Sequence, residues 1–147
     1  MEKVWVYGGL RISDGFERTL TTHSRNTAGY LRLLNAVEQD NPQGDLYLIT
    51  DNLSSHKSPP IQAWLEAHSR VHQVFIPKGA CWLNLQEGWW RLFRWEAFAG
   101  QTFADGDEID QVTIVATHKL NQRKKPWIWG RPPRLHRQLR RRSVYLI

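Results

Sequence analysis

Two stretches near the start of the chain, "VWVYGGLRI" and "FERTLTTHS", are rich in strand-forming residues and flank "SDG". That pattern predicts a β-hairpin, Val4–Ile12 with Phe16–His23, and puts Asp14 in the turn with no chemical role. The period then changes. Tyr30, Leu33, Leu34 and Val37 share one helical face, so a helix should start from a cap at Asn26 or Thr27 and end at "NPQG". "LYLIT" is a continuous apolar run, as expected of a strand covered on both sides. Ser58 can cap a second helix with Pro59 in its first turn, and Ile61, Leu65, Trp64 and His68 form its inner face. "VHQVFIP" reads as a further strand closed by Pro77. From Trp82 to Phe98 the spacing predicts a long helix. Leu85, Trp89, Leu92 and Phe93 make one apolar stripe, with Leu83, Glu87, Trp90, Arg94 and Phe98 on the other side.

After Gly100 the pattern is weaker. "ADGDEID" is acidic and placed to cap the next segment. That segment, "QVTIVATHKL", fits two states: its β-branched residues favour strand, while Ile109, Val112, Ala116 and Leu120 keep helical spacing. "KKPWIWGRPP" is irregular, and "RLHRQLRRR" suits a short basic helix. Strand, strand, helix, strand, helix, strand, helix is the order of a mixed α/β sheet, with an antiparallel hairpin and right-handed crossovers between parallel strands. The expected organisation is a catalytic-type α/β unit over 1–100 and an extension with a basic tail over 101–147.

Composition adds three constraints. At 147 residues and 41% hydrophobic, the chain can bury a core. One cysteine, Cys81, rules out a disulfide framework and a cysteine-built zinc site, which fits a reducing cytoplasm. No apolar run reaches the length of a membrane span. The charge is unevenly spread. Of 20 Lys and Arg, nine lie in residues 121–147, where there is no Asp or Glu, so the preceding body is slightly acidic. A basic tail on such a body points to a polyanion partner, or else to a solvated tail.

The candidate chemistry begins in "YLITDNLSSHK". An apolar strand that ends on Asp51 and Asn52, with His56 close behind, reads as a turn or as a carboxylate held at a strand end. Hard divalent cations take oxygen ligands, and paired ions serve phosphodiester cleavage. Such sites need carboxylates from separate elements meeting at one end of a sheet. Glu87 follows Asp51 by 36 positions, after a full helix–strand passage. His56 alone is more often a surface or capping residue, and Trp82, Trp89 and Trp90 are more often core. Trp127 and Trp129 lie among basic residues and suit either base stacking or packing of the tail.

"LITDNLSSHK" followed by "FIPKGACWLNLQEGWW" resembles the catalytic half of bacterial insertion-sequence transposases of the mariner superfamily, DDE enzymes with a ribonuclease-H-like fold. The matching positions are Asp51, Asn52, His56, Pro77, Trp82, Leu83, Asn84, Glu87 and Trp90. The likeness runs from about Val4 to Phe98, and more loosely to "LNQRKKPWIWG". It implies metal-dependent DNA strand cleavage and strand transfer, with Asp51 and Glu87 as second and third catalytic carboxylates holding Mg2+ or Mn2+. It gives Asn84 a role in orienting the Glu or contacting substrate, and His56 a contact with DNA or with a metal's water. Arg131, Arg134, Arg137 and Arg140 to Arg142 would meet phosphate. The family's first Asp sits on a strand before the hairpin, and this sequence has no counterpart. The expectation is therefore a truncated transposase lacking that strand, with an unprotected edge beside the hairpin, and inactive alone. Its partners would be transposon ends and target DNA, with a second copy or an upstream transposase fragment to complete it. The alternative is a non-catalytic basic DNA-binding or oligomerising remnant.

Overall fold

The computed structural model describes residues 3–23, 25–51, 56–77, 84–98, 103, 105–127 and 143–147. The hairpin forms from β1 (Trp5–Arg11) and β2 (Glu17–Thr22). Its turn is built as the sequence suggested. Asp14 accepts from the Phe16 amide and holds the Arg11 guanidinium at 2.8 Å. Gly15 takes φ +83°, and a side chain there would strike the Lys125 carbonyl.

Helix α1 (Thr27–Asp40) starts at Asn26, whose side chain accepts from the Gly29 amide. Its face of Tyr30, Leu33, Leu34 and Val37 is buried. β3 (Leu46–Thr50) follows, then α2 (Pro59–Ala67) and β4 (Val71–Phe75). Ser58 occupies the N-cap of α2 without a side-chain capping bond, because its hydroxyl meets that of Thr27 at 3.2 Å. Helix α3 (Gln86–Phe98) buries Trp89, Phe93 and Ala97. Leu92, expected on that stripe, is 45% exposed, since Gln86 and Ala97 complete the inner face in its place.

The ambiguous segment is a helix, α4 (Gly106–Gln122), capped by Asp105 accepting from the Glu108 amide. Contacts with β2 hold it in place. Thr21 bonds Asp110, Thr19 meets Thr117 at 2.8 Å, and Asn121 exchanges bonds of 2.8 and 3.0 Å with the Glu17 backbone. Alternate residues of β2 thus meet one side of α4, and the edge strand is covered.

The sequence pattern predicts no strand after α4, yet β5 (Ser143–Leu146) lies in the middle of the sheet. The five strands run in the order β2-β1-β5-β3-β4. β5 is antiparallel to β1 and parallel to β3, so the edge beside the hairpin is filled and not open. Val144 and Leu146 join the cluster made with α3 and α4, including Trp89, Phe93, Ala116 and Leu120. Tyr145 faces the opposite cluster with Tyr30, Leu33, Leu34 and Ile61 of α1 and α2. Its hydroxyl accepts from Asn41, which follows α1. The result is a five-stranded mixed sheet flanked by four helices, consistent with a ribonuclease-H-like fold. Among the described residues no helix is long and apolar enough to cross a membrane.

Candidate active site at the strand ends

Parallel β5 and β3 finish on the same side of the sheet, where the Ile147 amide donates to the Ile49 carbonyl at 3.0 Å. Asp51 is the next residue after β3 and stands largely exposed. Glu87 lies in the first turn of α3, where the partial positive charge of the helix start favours a carboxylate. Both line one pocket of about 190 Å3, with Trp5, Tyr7, Gly8, Arg25, His56, Asn84, Gln86 and Trp90 among its walls. Two acids 36 positions apart are thus brought to a common cavity by a strand end and a helix start.

Asn84 brackets that helix start. Its side-chain oxygen accepts from the Gln86 amide at 3.2 Å, and its carbonyl from the Glu87 amide at 3.2 Å. His56 is buried. Its ring stacks on Tyr30 at 4.0 Å, and Nδ1 lies 2.9 Å from the Thr50 hydroxyl and 3.4 Å from Asp51. Burial pushes this imidazole below the usual histidine range against the opposing pull of Asp51, so the ring is neutral near pH 7. It braces the strand end behind Asp51.

Several pocket residues carry no signal in the sequence. Arg25 lies over the Trp5 ring at 5.7 Å, a cation on the wall of a cavity with two carboxylates. A strand-start Trp and a loop Arg carry no pattern that pairs them. Beneath the pocket, Glu17 of β2 is 1% exposed and accepts from the Gln86 amide nitrogen at 2.7 Å. Its other oxygen, like the Gln86 side-chain oxygen, has no partner in the structure. Burial raises the Glu17 carboxyl well above the usual range. The alternation of β2 could have signalled it, because Glu17 shares a face with Thr19 and Thr21 beneath α4. Gly8 leaves the space, since a Cβ there would press on Glu17 and come within 2.8 Å of the Trp90 ring.

The donor set suits a hard cation: carboxylate oxygens of Asp51 and Glu87, with the Asn84 amide beside them. It stops at two acids. Among the described residues no group of three or more His, Cys, Asp or Glu side chains is placed to hold a metal. β5, in the central slot, spans Ser143–Leu146 and has no Asp or Glu in its sequence. Trp127 is partly buried and packs on the core, its ring lying against Gly88 of α3. Asn52, Trp82, Leu83, Trp129, Arg131, Arg134, Arg137 and Arg140 to Arg142 lie outside the described residues.

No curated protein and no solved structure matches the chain. The sequence profile of a family described as DDE superfamily endonuclease matches residues 1–110, a span that holds β1 to α3, both carboxylates and the first turn of α4. The chain therefore belongs to the DDE superfamily endonucleases.

Proposed function

We propose that this chain is the catalytic part of an insertion-sequence transposase of the mariner type, acting on transposon ends and target DNA by strand cleavage and strand transfer. The observation that supports it most is the shared pocket of Asp51 and Glu87 at the strand ends. In this reading the two carboxylates hold a single divalent ion, Mg2+ or Mn2+. When bound, such an ion supplies positive charge to a phosphodiester under attack. The other residues position. Asn84 fixes the turn that carries Glu87, and His56 with Thr50 fixes the strand end that carries Asp51. Arg25, braced by Trp5, offers a guanidinium to a DNA phosphate, where a bidentate contact is strong. Arg131, Arg134, Arg137 and Arg140 add phosphate contacts that are blind to sequence and sensitive to salt.

With two acids the site is weak, and the chain alone should nick DNA slowly or not at all. A further carboxylate from an upstream transposase fragment or a second copy would complete it. The test is Mn2+ binding by electron paramagnetic resonance together with plasmid nicking. One weak Mn2+ site, lost in Asp51→Ala and in Glu87→Ala, is expected. Equal Mn2+ binding by all three proteins would refute the shared site.

The absence of an acid on β5 favours a second reading, a non-catalytic DNA-binding or oligomerising remnant. It is distinguished by the tail. Replacing Arg131, Arg134, Arg137 and Arg140 with Gln would then abolish DNA binding, while Asp51→Ala and metal removal would change nothing.

A further inference from the structure

Beyond Glu87, α3 carries a second exposed strip. Arg91, Arg94, Trp95 and Phe98 line a shallow concavity of about 320 Å3. Trp95 is 74% exposed, more than any other large apolar side chain described. It contributes nothing to the core, because α3 already has a complete inner face in Trp89, Phe93 and Ala97. Among the described residues, no carboxylate lines the concavity. Glu96, next to Trp95, is held by Arg123 at 3.0 Å. Among the described residues, neither Arg91 nor Arg94 has an ion-pair partner.

Helical geometry ties the strip to the pocket. At about 100° per residue, Glu87, Arg91, Arg94, Trp95 and Phe98 fall within an arc of about 100°. Trp95 lies about 12 Å along the axis from Glu87, the length of roughly three to four stacked nucleotides. A DNA strand with a phosphate at Glu87 can therefore run along this face of α3.

We propose that the strip binds an unpaired nucleotide of the DNA strand, with its base stacked on Trp95 and the adjoining phosphates on Arg91 and Arg94. This rests on the reading of the Asp51–Glu87 pocket as a DNA site. Every base has a π-face, so an exposed indole takes any of them, but bases inside a duplex are already stacked. An unpaired base is thus the partner that gains from Trp95, and the arginines match its backbone. A second copy of the chain fits less well, because a two-fold contact centred here sets arginine against arginine.

The test uses the 147-residue chain without divalent metal, a single-stranded oligonucleotide containing 2-aminopurine, and the matched duplex. Trp95→Ala should weaken single-strand binding about 5- to 150-fold and abolish 2-aminopurine quenching, with duplex affinity little changed. Trp95→Phe should retain most of both. Arg91→Gln with Arg94→Gln should make the slope of log affinity against log salt shallower by about 1.4 for the single strand. Trp95→Ala should bind Mn2+ as wild type, so failure of the metal site, read by Mn2+ binding, is separate from failure here. The proposal is overturned if Trp95→Ala leaves binding and quenching intact, or weakens single strand and duplex alike. It is also overturned if Trp95→Ala converts a dimer to a monomer in size-exclusion chromatography, which would make the strip a protein contact.

Discussion

Glu17 offers the most direct check on the packing beneath the pocket. Its carboxyl sits between β2 and α3 with one hydrogen bond, from Gln86, and one oxygen without a partner. Among the described residues no cation bonds it, and burial keeps it protonated well above the ordinary glutamate range. The sign is set by linkage. The folded state holds this proton more tightly than the unfolded state. Stability from Glu17 is therefore full below the unfolded value, falls as pH rises, and levels off above the raised folded value. Each pH unit inside that window removes up to about 1.4 kcal/mol. Glu17→Gln keeps the shape, has no charge to bury, and offers an NH2 group to the unpartnered Gln86 oxygen. It should match the wild type within about 1 kcal/mol at pH 5 and exceed it increasingly towards pH 8. Glu17→Ala instead strips the Gln86 amide of its acceptor and opens a small cavity, at about 2–4 kcal/mol. Urea unfolding, monitored by tryptophan fluorescence at about pH 5, 6.5 and 8, measures all three proteins across the window that the raised value opens. Groups common to wild type and Gln variant cancel in the difference. A constant difference across pH, or a Gln variant less stable than wild type at the alkaline end, refutes a protonated carboxyl at this position.

The same packing sets three further outcomes. Gly8→Ala should lose about 1–3 kcal/mol in urea unfolding, because the new methyl presses on Glu17 and the Trp90 ring. Asn121→Ala should cost about 1–3 kcal/mol by leaving the Glu17 backbone amide and carbonyl without their side-chain partner, seen as a lower urea midpoint. Val144→Asp should cost about 3 kcal/mol or more by placing a carboxylate in the core cluster. A thermal midpoint unchanged by Val144→Asp would show that β5 does not hold the centre of the sheet.

What the sequence made legible was local. The hairpin turn at Asp14–Gly15, the Asn26 cap and the Tyr30–Val37 face are set by residues within a few positions of one another, and they formed as expected. α4 was ambiguous because the conformational preference of Val112, Thr113, Ile114 and Val115 opposes their period. The Asp105 cap at its start is local and was suggested by the acidic stretch, but the polar contacts to Thr19, Thr21 and Glu17 that accompany the helix are remote. β5 was missed for a related reason. Four residues after a basic, Pro-containing stretch carry little pattern, and their place between β1 and β3 depends on sheet order, which no local window contains. In the pocket, Asp51 and Glu87 stood out by chemistry and interval. Arg25, Trp5 and Gln86 did not, since only the folded sheet brings them to the same wall.

The position of β5 also bears on how the pocket is assembled. Its walls come from Trp5–Gly8 on β1, Asp51 after β3, Glu87 on α3 and Ile147 beyond β5. β1 and β3 have no strand between them except β5, so the strand end bearing Asp51 is registered against β1 only when residues 143–147 are in place. That pairing closes a loop of more than 90 residues from β3, an entropic demand offset by the strand pairing on both sides and by the apolar burial of Val144, Tyr145 and Leu146 on both faces of the sheet. Tyr145 adds a direct tie from the inserted strand to Asn41 after α1, and Val144 and Leu146 tie it to the cluster of α3, the helix that carries Glu87. Core packing of one short strand thus sets the relation between the two acids, and a substitution far from either can disable the site by loosening β5.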